Sequence, residues 1–484
     1  MKLEGKLTVI KRVLVAYLAV VTYVIVPLYM KRGYFGLIEA KAWIYRCFAV
    51  PAAVAAILIL AAHLYLPEEK GGSPGKKPAV SSVLLLLIGA WSLISSGLSY
   101  DFRLSFMGNY GWSVGSLMTC LLIIGTIYIA RNLVYENNII LLMMAVNAFV
   151  IMLAVVQSAG LDPFGLLKDL INKEYYNYLS TIGNLNSFCG YLCLILPLFW
   201  GGFMSCRERT SKILYGAISA TGFLGIILTN SDSIYAGIGI CLIFMVPFVL
   251  GSEQHVKRAG ILMSMFGCCL LIVRFVPVFA DKARVLNGIS KVMVKPPIAV
   301  ILCLIGILAF CRGWRLIGGR WNKTALIVLE TALFLAIIGF VLHSVMHFDD
   351  SWGSGRGAIW RTEWESFGQF SFRNKMVGVG PEMLFIVFAK FKVDTGRNVL
   401  SAHCEPMQVL LTQGITGLCL YISFWGYMLR LFFKNRLWRK SAAVFFFPLA
   451  AYWGQSLFCS VYPVTAVLFS FAAGMYLRAA EAEG

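Results

Sequence analysis

Two short polar stretches, SGRGAIW at residues 354–360 and SAHCEPMQ at residues 401–408, stand out in a chain that consists mostly of apolar runs. Both lie within residues 347–417, the only long segment between apolar runs. In a helix, Arg356 and Trp360 would share one face because they are four residues apart. This arrangement predicts one large loop, containing short helices, between two groups of apolar segments.

The second stretch places His403 and Glu405 directly before an apolar run. Between the two stretches, GVGP at residues 378–381 predicts a break in the chain and a new helix with proline in its first turn.

Composition identifies the solvent of this chain as mostly lipid. Of its 484 residues, 59% are hydrophobic and only 13% are charged, and the mean hydropathy is +0.77. These values are typical of an integral membrane protein. The net charge of +19 comes from Lys and Arg in short groups between apolar runs, as in cytoplasmic loops. Without a basic stripe that contains interleaved aromatic residues, nucleic-acid binding is not expected.

The cysteines predict neither disulfides nor a zinc site. Almost all of the thirteen lie inside apolar runs, and no CxxC pair is present. They are interpreted as small core residues.

Apolar runs long enough for a bilayer predict an all-α, polytopic bundle of about fourteen spans. The chain is expected to divide into three regions. Residues 1–345 would form an N-terminal bundle of about eleven spans, residues 346–414 a large loop with the proposed active site, and residues 415–484 the C-terminal helices with a short tail. Several spans are expected at about 113–130, 260–279, 324–345, 415–433 and 441–458.

Charge gives the orientation. The predicted inner loops hold about 23 Lys plus Arg, and the short outer loops about 12. Both termini are therefore expected in the cytoplasm, and the large loop outside the membrane. The long loop is left out of this comparison because long segments translocate largely regardless of charge.

Three residues of the large loop have both a functional and a structural interpretation. Arg356 could clamp an anion, since a guanidinium fork suits phosphate oxygens, or it could stack on Trp360 or Trp364. His403 could be a general base or a proton-sharing donor, or it could cap a helix at the interface. Glu405 could orient that imidazole or simply begin the next helix.

Four residues outside the loop are also candidates. Asn184 and Asn186 could bind sugar hydroxyls or cap the helix that follows. Asp232 lies in the tight turn TNSDS at residues 229–233 and could be a buried carboxylate or an ordinary turn residue. Arg274, near the outer end of a span, could snorkel to the interface.

A pair of histidines suggests a weaker alternative. His343 and His347 are one helical turn apart and precede Asp349 and Asp350, a spacing that suits a divalent metal. Helix ends that leave a membrane collect polar residues anyway, so no metal or other cofactor is expected.

The order of several motifs resembles the O-antigen ligase and polymerase family of membrane glycosyltransferases. The motifs are TIGNLNSFCGYL, LTNSDSIYAGI, SGRGAIW, GVGPEMLF and AHCEPMQVLLTQGITGL. They match that family's GN-x-N, S-R turn, R-xxx-W, G-x-GP, and HNE-x-x-Q before G-xx-G, over roughly residues 98–470. Members are similar in fold to the peptidoglycan-polymerising shape, elongation, division and sporulation proteins. They move a glycan from a polyprenyl diphosphate to an acceptor at the outer face, without metal.

By that resemblance Arg356 would hold the diphosphate and His403 would assist the acceptor hydroxyl. The chain departs from the pattern at two positions. Cys404 replaces the usual Asn after the histidine, and Asp232 replaces the arginine of the S-R turn. Another cation, such as Arg274 or Arg103, would then meet the diphosphate, or Asp232 would act as a base in a different activation of the acceptor.

The sequence therefore predicts a metal-independent glycosyltransferase of the bacterial cytoplasmic membrane, acting as ligase or polymerase. Its expected partners are a polyprenyl-diphosphate-linked glycan donor, a glycan, lipid or protein acceptor, the lipid bilayer and envelope-assembly proteins. A flippase or exporter of the lipid-linked glycan and a scaffold of an envelope complex are the alternatives. The large loop and its ordered motifs favour the enzyme.

Overall fold

A computed structural model describes most of the chain. The described residues are 3–65, 79–108, 114–131, 137–168, 170, 178–317, 324, 328, 331–332, 349–350, 352–390 and 401–482. They form two compact units. Unit 1 comprises Met1–Met144, Ala358–Leu431 and Ser460–Gly484, and unit 2 comprises Ala145–Gly357 and Phe432–Cys459. Each unit is thus assembled from segments that lie far apart in the sequence.

Helices make up nearly all of the regular structure. In the first part of the chain they are α1 Leu3–Val20, α2 Val26–Leu28, α3 Leu37–Tyr65, α4 Val80–Gly97, α5 Phe102–Met107, α6 Leu117–Ala130 and α7 Asn137–Ser158. The next group comprises α8 Leu185–Ser205, α9 Arg209–Leu228, α10 Asp232–Val249, α11 Glu253–Phe275, α12 Ala280–Arg284, α13 Gly288–Met293 and α14 Pro296–Ile317.

The last part of the chain contains the remaining helices. They are α15 Trp352–Gln369, α16 Phe372–Val377, α17 Leu384–Lys390, α18 Glu405–Lys434, α19 Phe447–Ser456 and α20 Pro463–Ala482. Two short strands, β1 Tyr178–Leu179 and β2 Gly183–Asn184, pair antiparallel, with Tyr178 opposite Asn184.

Among the described residues, eleven helices are long and apolar enough to cross a membrane. The prediction of an all-helical chain with many helices long and apolar enough to cross a membrane is therefore confirmed. The tight turn predicted at residues 229–233 is also observed, since α9 ends at Leu228 and α10 begins at Asp232.

Two expected spans are shorter than predicted. Helix α6 begins only at Leu117, because the Ser116 hydroxyl accepts the Thr119 N–H and caps the helix there. Ahead of α19, Ser441–Phe445 forms a 3₁₀ turn, and Pro448 lies in the first turn of α19, a position that proline favours. The span predicted at about 324–345 lies almost wholly outside the described residues.

Another span begins earlier than predicted. The span expected at about 260–279 begins instead at Glu253, the first residue of α11. The Ser252 hydroxyl accepts the His255 N–H at 3.1 Å, and Lys257 pairs with Glu253 one turn away at 2.7 Å. A cap and an i, i+4 ion pair extend the helix beyond its apolar residues.

A polar network joins four helices of unit 1. It includes Tyr427, in the second half of α18, and so lies away from the first residues of that helix. Arg131 pairs with Glu481 at 2.5 Å, and the Ser81 and Tyr427 hydroxyls donate to the same carboxylate at 2.6 and 3.2 Å. Because each group is paired, these charges are stable beside apolar helices. The network links α4, α6, α18 and α20.

Unit 2 is built around α8, the most buried of its long helices. Small residues let neighbouring helices approach closely. A Cβ added to Gly222 on α9 would lie 2.2 Å from a Leu196 methyl carbon, and one added to Gly237 on α10 would lie 2.5 Å from the Ala451 carbonyl oxygen. The glycines on α9 and α10 therefore fix how these helices pack.

Candidate functional site

Helix α18 contains a break near its beginning, at Gly414, where φ is 71° and ψ is −174°. The break frees backbone carbonyls of the preceding turn, and a buried carbonyl needs a partner. The N–H of Val379 donates to Leu411 at 3.0 Å, and the N–H of Gly380 donates to Thr412 at 2.9 Å. The loop that contains GVGPE, residues 378–382, is therefore hydrogen-bonded to the break; we call it the GVGPE loop.

Helix α4 supplies further donors to the same region of unit 1. The Ser95 hydroxyl lies 2.9 Å from the Val377 carbonyl oxygen and 3.0 Å from that of Thr412. The Trp91 indole donates to the Gln413 carbonyl at 2.9 Å. Side chains from a membrane-spanning helix thus satisfy backbone groups that a regular helix would pair internally.

Replacing Gly414 or Gly378 with Ala should strongly destabilise the protein. A Cβ at Gly414 would lie 2.3 Å from the Met376 carbonyl oxygen, one at Gly378 would lie 2.2 Å from the Thr412 carbonyl, and both glycines have positive φ. We expect each substitution to lower the thermal unfolding midpoint in detergent, with a cost of about 1–3 kcal/mol from the backbone alone.

Gly426→Ala is the matched control, because Gly426 lies on the same helix with open space around its Cβ position. It should leave the midpoint unchanged or raise it slightly. An equal midpoint for all three variants would contradict the role assigned to the break.

Residues Ser401–Cys404 form a loop that we call the His403 loop, and hydrogen bonds hold it from several sides. His403 has a φ of 51°, a left-handed backbone. Its Nδ1 lies 3.2 Å from the Ser460 hydroxyl, which is also hydrogen-bonded to Ser401. The Gln408 side chain accepts the Ala402 N–H at 2.8 Å. The imidazole therefore has a fixed orientation at the beginning of α18, where Glu405 is the first residue.

Trp360 supports the same loop. Its indole Nε1 donates to the Ala402 carbonyl at 3.1 Å, and only 6% of the residue is exposed. The sequence motifs that contain Trp360 and His403 are thus in direct contact in unit 1. Trp360 positions the backbone next to His403. The role of Trp360 in binding substrate stays a prediction.

A cavity of about 220 Å³ opens within unit 1 and is lined by His403. Its polar lining includes Glu382, Ser401, Glu405 and Gln408. Apolar side chains from four helices form the rest, among them Ile88 of α4, Ile124 of α6, Phe424 of α18 and Phe469 of α20. Among the described residues, no Lys or Arg lines this cavity. Such a cavity suits a ligand with hydroxyl groups and an apolar portion.

Two carboxyl groups of unit 1 are almost completely buried and were not singled out by sequence. Burial raises the pKa of Glu382 to about 8, against the opposing effects of a hydrogen bond from the Gly115 N–H and of the Arg46 charge. Burial also raises the pKa of Glu363 well above its ordinary range. Neither carboxylate oxygen of Glu363 has a hydrogen-bond partner among the described residues.

Arg356 belongs to a polar cluster of unit 2. Its Nη1 donates to the Gly353 carbonyl at 2.9 Å, and its side chain is hydrogen-bonded to Cys459. Cys459 in turn contacts Ser233 and Gln455. The buried Nε of Arg356 has no hydrogen-bond partner among the described residues.

The same cluster reaches the GN-x-N motif. The Gln455 amide nitrogen donates to the Asn186 carbonyl at 3.2 Å. Asn184 caps α8, because its side-chain oxygen accepts the Asn186 N–H at 2.9 Å. The structure therefore connects Asn186 with Arg356 through Gln455 and Cys459, and it shows that Asn184 has a capping role.

Asp232 and Arg274 are both exposed in unit 2. The Asp232 carboxylate accepts the Ile289 N–H at 2.8 Å and lies against Gly288, which has a φ of 50°. Asp232 thus holds the segment before α13. Arg274 lies in the last turn of α11. The catalytic role of Asp232 and the binding role of Arg274 stay predictions.

His343 and His347, the histidine pair of the weaker metal alternative, lie outside the described residues. Within the described part of the chain, no group of three or more His, Cys, Asp or Glu residues is placed to hold a metal ion.

Sequence reasoning missed several residues that shape the cavity. Gln408 could have been found, because it closes the motif that begins at His403. Ser460 lies 57 residues from its partner His403, and Glu382 lies 267 residues from its partner Gly115. No local pattern indicates such pairs, because only packing brings them together.

No protein-family model matches the chain, and no curated protein is significantly similar to it in sequence.

Proposed function

We propose that this chain is a membrane glycosyltransferase of the O-antigen ligase or polymerase type. It would transfer a glycan from a polyprenyl diphosphate to an acceptor hydroxyl. The observation that carries the proposal is the cavity of unit 1. There His403 and the carboxyl groups of Glu382 and Glu405 lie among apolar side chains of helices long enough to span a membrane. A lipid-linked sugar presents the same combination of hydroxyls and apolar chain.

The reaction assigns one task to each residue. The acceptor oxygen attacks the anomeric carbon, and the bond from that carbon to the diphosphate oxygen breaks. The hydroxyl proton passes to the imidazole of His403, and polyprenyl diphosphate leaves with its electron pair. If Nδ1 donates to Ser460, Nε2 of His403 carries the lone pair that accepts the proton.

The departing diphosphate requires fixed positive charge. Arg356 is our candidate from the order of the motifs, because a guanidinium fork suits phosphate oxygens. Glu405 lines the cavity with His403 and is proposed to orient the acceptor or the imidazole. Trp360, Asn184, Asn186 and Arg274 keep their proposed binding roles, and Asp232 remains the alternative base.

The proposal is tested by product formation with purified protein in lipid vesicles, a defined polyprenyl-diphosphate-linked oligosaccharide and a hydroxyl acceptor. Product should form without added metal and in the presence of chelator. Loss of activity in chelator would favour a metal site at His343 and His347. Movement of the lipid-linked glycan across the bilayer without transfer would instead identify a flippase, and neither activity would favour a scaffold.

The proposed topology has about fourteen spans, both termini in the cytoplasm, and the loop of residues 346–414 outside the bacterial cytoplasmic membrane. In a cysteine-depleted background, Ser371→Cys should react with an impermeant thiol reagent in intact cells, because charge alternation places it outside. Ser73→Cys should react only after the cells are opened. Labelling of Ser73→Cys alone in intact cells would invert this topology.

A further inference from the structure

Glu382 follows the GVGP motif in the GVGPE loop and has a left-handed backbone, with a φ of 60°. Non-glycine residues adopt this conformation uncommonly, and it persists where the surroundings hold it. Here the loop is hydrogen-bonded to the break in α18 through Val379 and Gly380. The side chain of Glu382 is therefore directed by a rigid part of unit 1.

The carboxyl group is held by a second segment of unit 1. Its Oε1 accepts the Gly115 N–H at 2.5 Å, and a Cβ added to Gly115 would lie only 2.8 Å from the same oxygen. Only 8% of Glu382 is exposed, yet it lines the cavity together with His403. The group is thus almost completely buried, held by the Gly115 N–H, and part of the cavity lining.

One cation influences Glu382 without occupying the cavity. Arg46 on α3 raises the stability of the ionised form, but its guanidinium is already bound by other groups. Its Nη1 donates to the Met107 carbonyl at 2.7 Å, and its Nη2 donates to the Ser116 and Thr119 hydroxyls at 2.7 and 2.9 Å. Arg46 is therefore a fixed structural cation.

Burial outweighs the Gly115 hydrogen bond and the Arg46 charge, and raises the pKa of Glu382 to about 8. Near neutral pH the group is a neutral carboxylic acid, which can both donate and accept hydrogen bonds. The other titratable groups that line the cavity are Cys120, His403, Cys404, Glu405 and Tyr421.

We propose that Glu382 is a substrate-binding residue, whose carboxyl group hydrogen-bonds a hydroxyl of the transferred sugar beside His403. This inference rests on the proposed function. A neutral acid suits a sugar hydroxyl because it offers a donor on one oxygen, while the other oxygen stays bonded to the Gly115 N–H. Loss of the proton removes the donor and places a negative charge beside substrate.

The pH dependence follows from the direction of the shift. Since the pKa of Glu382 is raised, the carboxyl keeps its proton up to about pH 8 and loses it above. Substrate binding should weaken as the pH rises through that range. Glu382→Gln keeps a neutral side chain that can accept the Gly115 N–H and donate an N–H, so its binding should not weaken there.

The first test needs no enzymatic activity. A hydrophobic carbodiimide reacts with protonated carboxyl groups in apolar surroundings, and peptide mass spectrometry locates the adduct. We expect an adduct on Glu382 at pH 6.5 that is largely lost at pH 9.5, and protection by the polyprenyl-diphosphate-linked oligosaccharide. Glu365, exposed on α15, is the control and should stay unmodified. No adduct on Glu382 at either pH, or no protection by the oligosaccharide, would overturn the inference.

The second test compares kinetics of the wild type with Glu382→Gln and Glu382→Ala from pH 6.5 to 9.5. The KM for the donor should rise above pH 8 in the wild type and stay level in Glu382→Gln. Glu382→Ala should raise KM about 2- to 10-fold at pH 7, as expected for one hydrogen bond, with a smaller effect on kcat. A purely structural residue would not show this difference between the Gln variant and the wild type.

The outcomes separate the two proposals. An active wild-type protein whose KM and pH profile are unchanged in both variants would overturn the role of Glu382 alone. A wild-type protein that forms no product with lipid-linked glycan donors would overturn the proposed function, and this inference with it.

Discussion

His403→Ala should lower the rate of glycan transfer about 10²- to 10⁴-fold, the usual contribution of a positioned proton acceptor. The imidazole lines the cavity of unit 1 and is oriented by Ser460. The wild-type rate should also fall at acidic pH, where an imidazole becomes protonated and can no longer accept a proton. Product formation by purified protein in lipid, scanned in pH, measures both effects.

Asp232→Asn tests the alternative base. Asp232 is exposed and accepts the Ile289 N–H, so we expect a smaller loss than for His403→Ala. If Asp232 is the base, the order of the two losses reverses. Full activity in both variants would refute both assignments.

His255→Gln is a matched control for loss of a histidine. The His255 ring stacks on Phe248, with 4.3 Å between ring centroids, and its Nδ1 lies 3.0 Å from the Phe248 carbonyl oxygen. Any effect of this substitution should appear in the unfolding midpoint rather than in the pH profile. The same loss of rate in both histidine variants would indicate a general structural effect.

Arg356→Ala should produce the second large loss, and Arg356→Lys an intermediate one. Lysine keeps the positive charge but lacks the planar fork that binds two phosphate oxygens. Each hydrogen bond to a charged group contributes about 1.5–3 kcal/mol, or roughly 10- to 150-fold in rate if it acts in the transition state. The measurement is kcat/KM for the donor at matched protein concentration.

Arg361→Ala is the control on the same helix, because Arg361 is exposed and is not proposed to meet the diphosphate. It should retain nearly all activity. Since Arg356 also bonds to Gly353 and Cys459, the unfolding midpoint of each Arg356 variant must be compared with the wild type. Near-normal product from a folded Arg356→Ala protein would remove Arg356 from the mechanism.

Local patterns in the sequence were sufficient for the class of fold. Long apolar runs must become helices in a bilayer, because no water is available there to pair with the backbone. The sequence also predicted the turn at residues 229–233 and a possible cap at Asn184, since both depend on neighbouring residues. The ends of α6 and α11 differ from the prediction because caps, rather than hydrophobicity, set where those helices begin.

Only part of the candidate site could be predicted from the sequence. His403, Glu405 and Trp360 were found because polar residues of these types stand out in a chain of apolar segments, and the structure places all three in unit 1. Their assignment to one functional site was inferred from the order of the motifs. Spacing could not reveal that Trp360 donates to Ala402, 42 residues away.

Tertiary structure alone decided which carboxyl groups are buried and which are exposed. Asp232 and Glu382 each follow a turn in the sequence, yet Asp232 is exposed beside Ile289, and Glu382 is almost completely buried beside Gly115. Burial depends on the packing of distant segments, and it determines whether a carboxyl group is ionised or neutral. The sequence by itself therefore determined a helical chain with apolar spans and polar motifs, and packing determined which of its carboxyl groups are buried.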